Sequence, residues 1–337
     1  MHQLFEPGLV HDPCGDPGLY IDFPDERRAL LFDLGDIAVL PPRKLMRLSH
    51  VFVTHTHMDH FAGFDQLLRV VLGRKERIGL LGGPGFVDQV EHKLRAYTWN
   101  VVHRYAVPLV LDVREVHPAG RGLRACFCSR TGFAREPGAP FGWDGDVLHD
   151  EPLIRVRGRF VDHEMPCLAL ALEEKARVRV ARDRLAALGV TPGPWLRVLK
   201  QAVFSGAPED TPILLSWRDR DGEHQVTRRL AELRQVVLDI EPGRRIGYVT
   251  DMRFTEANLQ AIVPLLAGVD ELYIESVFLQ ADLSHARRKN HLTARDAGSI
   301  AREVGAKAVV PFHFSSRYRQ RAEEVHAEVL AAWAGSG

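Results

Sequence analysis

His50-Val51-Phe52-Val53-Thr54-His55-Thr56-His57-Met58-Asp59-His60 is the most informative stretch of this 337-residue chain. Its first half, HVFVT (50–54), is apolar and β-branched and reads as a buried strand. Its second half sets four metal-binding side chains, His55, His57, Asp59 and His60, within positions 55–60. Residues i and i+2 of an extended chain project to one face. His55 and His57 can therefore hold one metal ion from the end of a strand, and Asp59 and His60, beyond the turn, can hold a second. Imidazole and carboxylate suit Zn²⁺, with Mn²⁺ or Fe²⁺ as alternatives.

Two ions need more ligands than one motif supplies. His163 sits in VDHEMP between strand-like runs, Asp251 follows the apolar run IGYVT, and His313 follows AKAVVPF. Sites in α/β sheets collect beyond the carboxyl ends of strands, so all three are candidate ligands. Asp251 has a competing reading as the cap of a helix at 255–266.

Outward from these positions, strand and helix signals alternate. ALLFD (29–33), RIGLL (77–81), 107–113, 122–129, RIGYVT (245–250), ELYIES (271–276) and KAVVPF (307–312) read as strands, with two more flanking His163. FDQLLRVVL (64–72), FVDQVEHKLRAY (86–97), TEANLQAIVPLL (255–266), TARDAGSIAREVG (293–305) and an amphipathic C-terminal segment read as helices. Such alternation defines an α/β layered fold. We expect one domain over 1–337 with an excursion at 172–204. Within it, 172–201 reads as a basic, helix-prone segment. Lys175, Arg177, Arg179, Arg182, Arg184, Arg197 and Lys200 stand there against Glu173, Glu174 and Asp183, a local net charge of +4. The Gly- and Pro-rich stretch 129–146 reads as a long loop, and Gly82-Gly83-Pro84-Gly85 as a tight turn.

Lys+Arg and Asp+Glu both number 44, which excludes a polycation but leaves room for a local basic patch. At 45% hydrophobic and 26% charged residues, global disorder is excluded. Apolar runs fall short of the ~20 residues of a membrane helix, and the N-terminus has no signal-peptide pattern. Cys14, Cys126, Cys128 and Cys167 are too few and scattered for a disulfide scaffold. A soluble cytoplasmic protein that is not bound to membranes is the expectation.

HTHMDH (55–60) is the signature of the metallo-β-lactamase superfamily, and the C-terminal half resembles ribonuclease Z, the tRNA 3′-processing endonuclease family. NHLTARDAGSIAREVGAKAVVPFHFSSRY (290–318) is similar to that family's end motifs. RRIGYVTDMR (244–253) takes the place of its strand ending in a bridging Asp, IESVF (274–278) resembles its Glu-Ala-Thr-Phe, and ALGVTPGPWLRVLKQ (187–201) resembles the Gly-Pro segment of its tRNA-binding arm. The resemblance implies an αββα sandwich of two facing sheets, with the excursion as an inserted basic arm that docks tRNA. It implies His55, His57 and His163 on one ion, Asp59, His60 and His313 on the other, and Asp251 between them. It further implies a tRNA precursor as substrate and a homodimer.

The chemistry would be attack on phosphorus by a hydroxide shared by two divalent ions. Asp59 orients the water or accepts its proton. His291 is the candidate general acid for the departing ribose 3′-oxygen, with Glu275 holding it cationic. Arg287, Arg288 and Lys289 can clamp an RNA backbone. Ser315, Ser316, Arg317 and Tyr318, placed at the start of the last helix, suit a phosphate. Gly193 and Pro194 belong to the arm, where Trp195 either stacks on nucleic acid or packs on the body. Hydrolysis of small phosphodiesters, esters or lactones is the alternative activity. A non-catalytic protein that keeps the fold is a third reading.

Overall fold

Nine short strands in the first half of the chain form one sheet in the computed structural model of the protein, which describes residues 3–143, 146–219 and 222–335. Sheet order follows chain order: Glu6–Leu9, Leu19–Phe23, Arg28–Phe32, Leu48–Phe52, Arg77–Gly82, Val110–Val116, Arg121–Cys128 and Arg135–Pro137, with Phe141–Gly142 also on Arg121–Cys128. The four strands from Arg28–Phe32 to Val110–Val116 are parallel. Parallel neighbours need crossovers, and Pro42–Leu45, Phe64–Val71 and Phe86–Arg95 supply helical ones. The second sheet runs Val147–Asp150, Ile154–Asp162, Pro166–Glu174, Arg245–Val249, Glu271–Glu275, Val309–Phe312, its last three strands parallel.

The period of two along each strand decides the layering. Ala29, Leu31 and Val51 join the core that packs on the helices of the first sheet. Phe32 turns the other way and meets Tyr248 of the second sheet at 5.8 Å. Tyr248 in turn stacks on Phe312 at 5.1 Å. Val249, Leu272, Ile274 and Val309 face the outer helices Glu256–Leu266, Ala294–Glu303 and Ala322–Ala334. Two sheets thus face one another with helices outside, the expected αββα sandwich. The last two helices touch closely at Gly298, where a Cβ would lie 2.3 Å from the carbonyl oxygen of Val329.

The chain divides into two compact units: Met1–Leu148, Arg157–Ala171 and Ile246–Gly337 in one, His149–Val156 and Leu172–Arg245 in the other. The second unit reaches well past residue 204. Its antiparallel pairs are Arg177–Val180 with Leu238–Glu241 and Pro212–Asp219 with Gly222–Arg229. Helices Arg182–Ala187, Trp195–Phe204 and Leu230–Val237 complete it. Leu185, Trp195, Leu199, Ile213, Leu215, Leu233 and Val237 form its core.

Three expectations change. Residues 172–174 end the strand Pro166–Glu174 rather than starting a helix, because PCLALALEE is the continuous apolar run of a strand buried on both faces. The 129–146 stretch carries two short strands. The last helix starts at Ala322, after a separate 3₁₀ turn at Ser316–Tyr318.

Candidate metal centre

Four strand ends converge on one place. Thr54 follows Leu48–Phe52, and the next turn leads into the short helix Met58–Phe61 that carries Asp59 and His60. Asp251, Glu275 and His313 lie at the ends of the three parallel strands of the second sheet. His163 sits in the turn between Ile154–Asp162 and Pro166–Glu174. Helix Glu256–Leu266 is capped by Thr255, whose side chain accepts from the Asn258 amide, so Asp251 is not its cap.

Asp251 divides its carboxylate. Oδ2 lies 3.6 Å from His55 Nε2 and 3.4 Å from His163 Nε2. Oδ1 lies 3.5 Å from His60 Nε2 and 3.3 Å from His313 Nε2. Asp59 Oδ2 is 3.7 Å from both His60 Nε2 and His313 Nε2. His57 Nδ1 faces His55 Nε2 at 2.9 Å. The donors thus form two sets, His55–His57–His163–Asp251 and Asp59–His60–His313. An ion ~2.1 Å from each tetrahedral ligand would place neighbouring ligand atoms ~3.4 Å apart, close to these separations. His60 Nε2, fully buried, makes no hydrogen bond. A buried polar atom in that state is costly, and a cation satisfies it. The residues fit a divalent metal.

The electrostatics agree. Burial, with positive charge on His60, lowers the His55 pKa to about 2, and burial also lowers His57 and His163. Each shift favours the neutral imidazole that a metal ion needs. Burial opposes charge on His60, but the carboxylates of Asp251 and Asp33 override it and raise its pKa. Burial would raise Asp251, yet His60 and His313 hold it well below the usual carboxylate range.

Neighbours orient these ligands. His163 Nδ1 meets the carbonyl oxygen of Asn290 at 2.9 Å, which leaves Nε2 for Asp251. Glu275 is buried, accepts from the Met252 amide at 2.8 Å and meets His291 Nδ1 at 3.0 Å. Burial opposes the His291 charge, but Glu275 raises its pKa to about 9. His291 Nδ1 is 4.0 Å from Asp251 Oδ2, so the candidate acid stands beside the candidate metal set.

The residues expected to hold a phosphate fare differently. Tyr318 is buried, with its hydroxyl engaged by Asp282 and by the Leu279 amide, so it braces a loop. Ser315 precedes and Ser316 opens a single 3₁₀ turn, and the last helix starts only at Ala322, so these hydroxyls do not stand at its N-terminus. Arg317 is exposed, over the Phe278 ring at 5.3 Å. Arg287, Arg288 and Lys289 are exposed in the last turn of helix Leu283–Lys289. Gly193 and Pro194 lie in the second unit, where Gly193 lies so close to Ser216 that a Cβ there would come within 2.7 Å of its carbonyl oxygen. Trp195 is buried in that unit's core and donates to the Thr191 carbonyl. Lys175 pairs with Asp150 and Arg184 with Asp239. The side chains of Arg177, Arg179 and Arg182 lie outside the described residues.

Sequence reasoning misses Asp33. It accepts from the Thr54 amide (2.7 Å), the Thr54 hydroxyl (3.0 Å) and the Tyr248 hydroxyl (3.0 Å), and meets His60 Nδ1 at 2.9 Å. Its one signal is its position at the end of a strand parallel to Leu48–Phe52.

This sandwich with histidines and aspartates at its strand ends is the metallo-β-lactamase fold. The metallo-β-lactamase fold protein YhfI from Bacillus subtilis matches it with a TM-score of 0.53 at 13% identity, over 97% of this chain and 92% of that one. Human tRNase Z, short form, matches with a TM-score of 0.53 at 16% identity, over 94% and 93%. No family model matches the sequence. Ribonuclease Z of Deinococcus radiodurans is 33% identical over 325 residues, 94% of this chain and 92% of that protein. Ribonuclease Z of Porphyromonas gingivalis is 26% identical over 292 residues, 85% and 80%. The chain belongs to the ribonuclease Z family and is a hydrolytic endoribonuclease.

Proposed function

We propose that this enzyme removes 3′ trailers from tRNA precursors with two divalent cations, Zn²⁺ foremost and Mn²⁺ or Fe²⁺ as alternatives. His55, His57 and His163 would hold one ion and Asp59, His60 and His313 the other, with Asp251 shared. The observation that carries the reading is the split carboxylate of Asp251, one oxygen toward each set of histidines. Bound there, such ions supply an activated water and neutralise charge on the phosphate.

The chain's own groups do the rest. Asp59, with a side chain 41% exposed, is open to water and can orient the attacking molecule or take its proton. His291, charged at neutral pH through Glu275, can protonate the departing ribose 3′-oxygen. Arg317 and the Arg287–Lys289 run offer cations to the RNA backbone, as do Arg197 and Lys200 in the second unit. The resemblance of 187–201 to a tRNA-binding arm, including Gly193 and Pro194, supports a docking role for that unit.

The same reading has the protein cytoplasmic and homodimeric. Free thiols at Cys14, Cys126, Cys128 and Cys167 support a reducing compartment, and family likeness supports the dimer, which light scattering tests. Among the described residues no helix is long and apolar enough to cross a membrane.

The deciding assay offers purified enzyme a tRNA precursor with a 3′ trailer beside bis(p-nitrophenyl) phosphate. Trailer removal is the expected result. Hydrolysis of the small diester with no tRNA cleavage would favour a small-ester hydrolase and end the tRNA reading.

A further inference from the structure

Arg253 stands two residues beyond Asp251 and closes a ring of hydrogen bonds around the metal centre. Its Nε donates to Asn290 Oδ1 at 2.8 Å, and one terminal nitrogen reaches Asp162 Oδ2 at 3.1 Å. Its backbone amide donates to the Asp162 carbonyl at 3.0 Å. Asn290, in turn, accepts from His163 Nδ1 through its own carbonyl at 2.9 Å and immediately precedes His291. Asn258 reinforces the ring: its Oδ1 accepts from the Asp162 amide (2.8 Å), and its Nδ2 donates to the carbonyls of Asp162 (3.0 Å) and Arg253 (2.8 Å). The segments bearing Asp251, His163 and His291 come from three separate stretches of chain, and one guanidinium joins them.

The guanidinium is not there for stability. The Arg253 side chain is 33% exposed and that of Asp162 51%, and ion pairs at such exposure contribute little. What a planar fork supplies is direction. Asn290 ends helix Leu283–Lys289 in a left-handed backbone with φ of 63°, a conformation asparagine adopts at a helix C-terminus. That geometry aims its carbonyl at His163 Nδ1, which fixes the ring so that Nε2 faces Asp251. Among the described residues, no comparable link runs from Arg253 to Asp59, His60 or His313.

We infer that Arg253 is a positioning residue that selectively sets the His55–His57–His163 metal site, and with it His291, in register with Asp251. The inference rests on the two-ion reading above.

The test is metal binding, read by Zn²⁺ titration of stripped enzyme against a chromophoric chelator, with kcat and KM beside it. Arg253→Met should leave one ion bound as in wild type and weaken the other ~10–100-fold, with kcat falling more than KM rises. Asn290→Gly keeps the positive φ while removing only the acceptor for Nε, and should reproduce the selective loss. Arg253→Lys keeps charge toward Asp162 without the fork and should recover only part of it. Two wild-type affinities in Arg253→Met would overturn the inference. So would equal weakening of both ions with a lowered Tm, which marks a merely structural residue. His163→Ala is the control: if that variant still binds two ions as wild type does, the metal assignment itself fails and Arg253 is not the issue.

Discussion

The Nδ1 of His60 meets the buried carboxylate of Asp33 at 2.9 Å, which leaves Nε2 aimed at Asp251. A carboxylate behind a metal-binding imidazole fixes its ring and raises its basicity. Asp33→Asn keeps the shape and removes the charge. It should weaken metal at the Asp59–His60–His313 set ~10–100-fold while the fold survives. Asp33→Ala should do more, because the Thr54 amide, the Thr54 hydroxyl and the Tyr248 hydroxyl also lose their acceptor. Each unpaired buried donor costs roughly 1–3 kcal/mol, so denaturant unfolding should show a clear drop in midpoint. Unchanged metal affinity in Asp33→Asn would remove this role.

His291 and Glu275 give a pH prediction. Burial works against the imidazolium, and Glu275 overcomes it, lifting the pKa to about 9 from the usual 6.5. A general acid acts while protonated, so kcat on tRNA should have an alkaline limb on which it falls as His291 loses its proton. The contribution of the His291 proton to stability has the same sign: present in full below pH 6.5, lost as pH rises through about 9. Glu275→Gln removes the carboxylate and should move the alkaline limb to lower pH. His291→Ala should cut kcat on RNA ~10²–10⁴-fold and bis(p-nitrophenyl) phosphate turnover far less, since p-nitrophenolate leaves without a proton. Equal losses on both substrates would exclude the acid role.

The parts legible in the sequence are those written locally. HTHMDH declares itself because i, i+2 spacing after a strand is a short-range pattern, and His163, Asp251 and His313 stand out because apolar runs end just before or around them. Asp33 is not legible: its partners are 21, 27 and 215 residues away, and nothing near it in sequence announces them. The ring through Arg253 and Asn290 depends on a positive φ and on hydrogen bonds between residues 37 to 127 apart. Tyr318 misleads for the converse reason. Its neighbours resemble a phosphate site, but its ring is inserted into the core, which no spacing could reveal. In the second unit, Ile213 and Leu215 face inward while Leu214 is 52% exposed. That alternation is present in the sequence but is overshadowed by the basic segment before it.

Metal uptake should release protons. In the bare site His60 holds its proton more firmly than a free imidazole, through Asp251 and Asp33, against its burial. A ligand must shed that proton before it binds, so affinity should fall as pH falls. Calorimetric titrations of stripped enzyme with Zn²⁺ at pH 7, in two buffers of different ionisation enthalpy, should differ by about one proton per enzyme or more. Identical heats would contradict the bare-site picture. Saturating metal should also raise Tm, since a ligand at 100 times its Kd stabilises by ~2.7 kcal/mol.

Trp195 and Arg197 separate the two readings of the second unit. Trp195 and Leu199 are buried, 2% and 0% exposed, one turn apart on helix Trp195–Phe204, whereas Arg197 is exposed and Lys200 half-exposed on its other side. Trp195→Ala leaves a cavity that costs ~3–5 kcal/mol and should loosen this unit, so its effect on tRNA would not report stacking. Arg197→Glu with Lys200→Glu leaves the core alone. If these cations meet phosphates, the pair should raise KM for tRNA and flatten its salt dependence by about one unit of slope for each phosphate no longer engaged, without changing the Tm. Turnover of bis(p-nitrophenyl) phosphate, which is too small to span a docking surface, should not change. A tRNA KM and salt slope equal to wild type would show that this helix face does not touch the substrate.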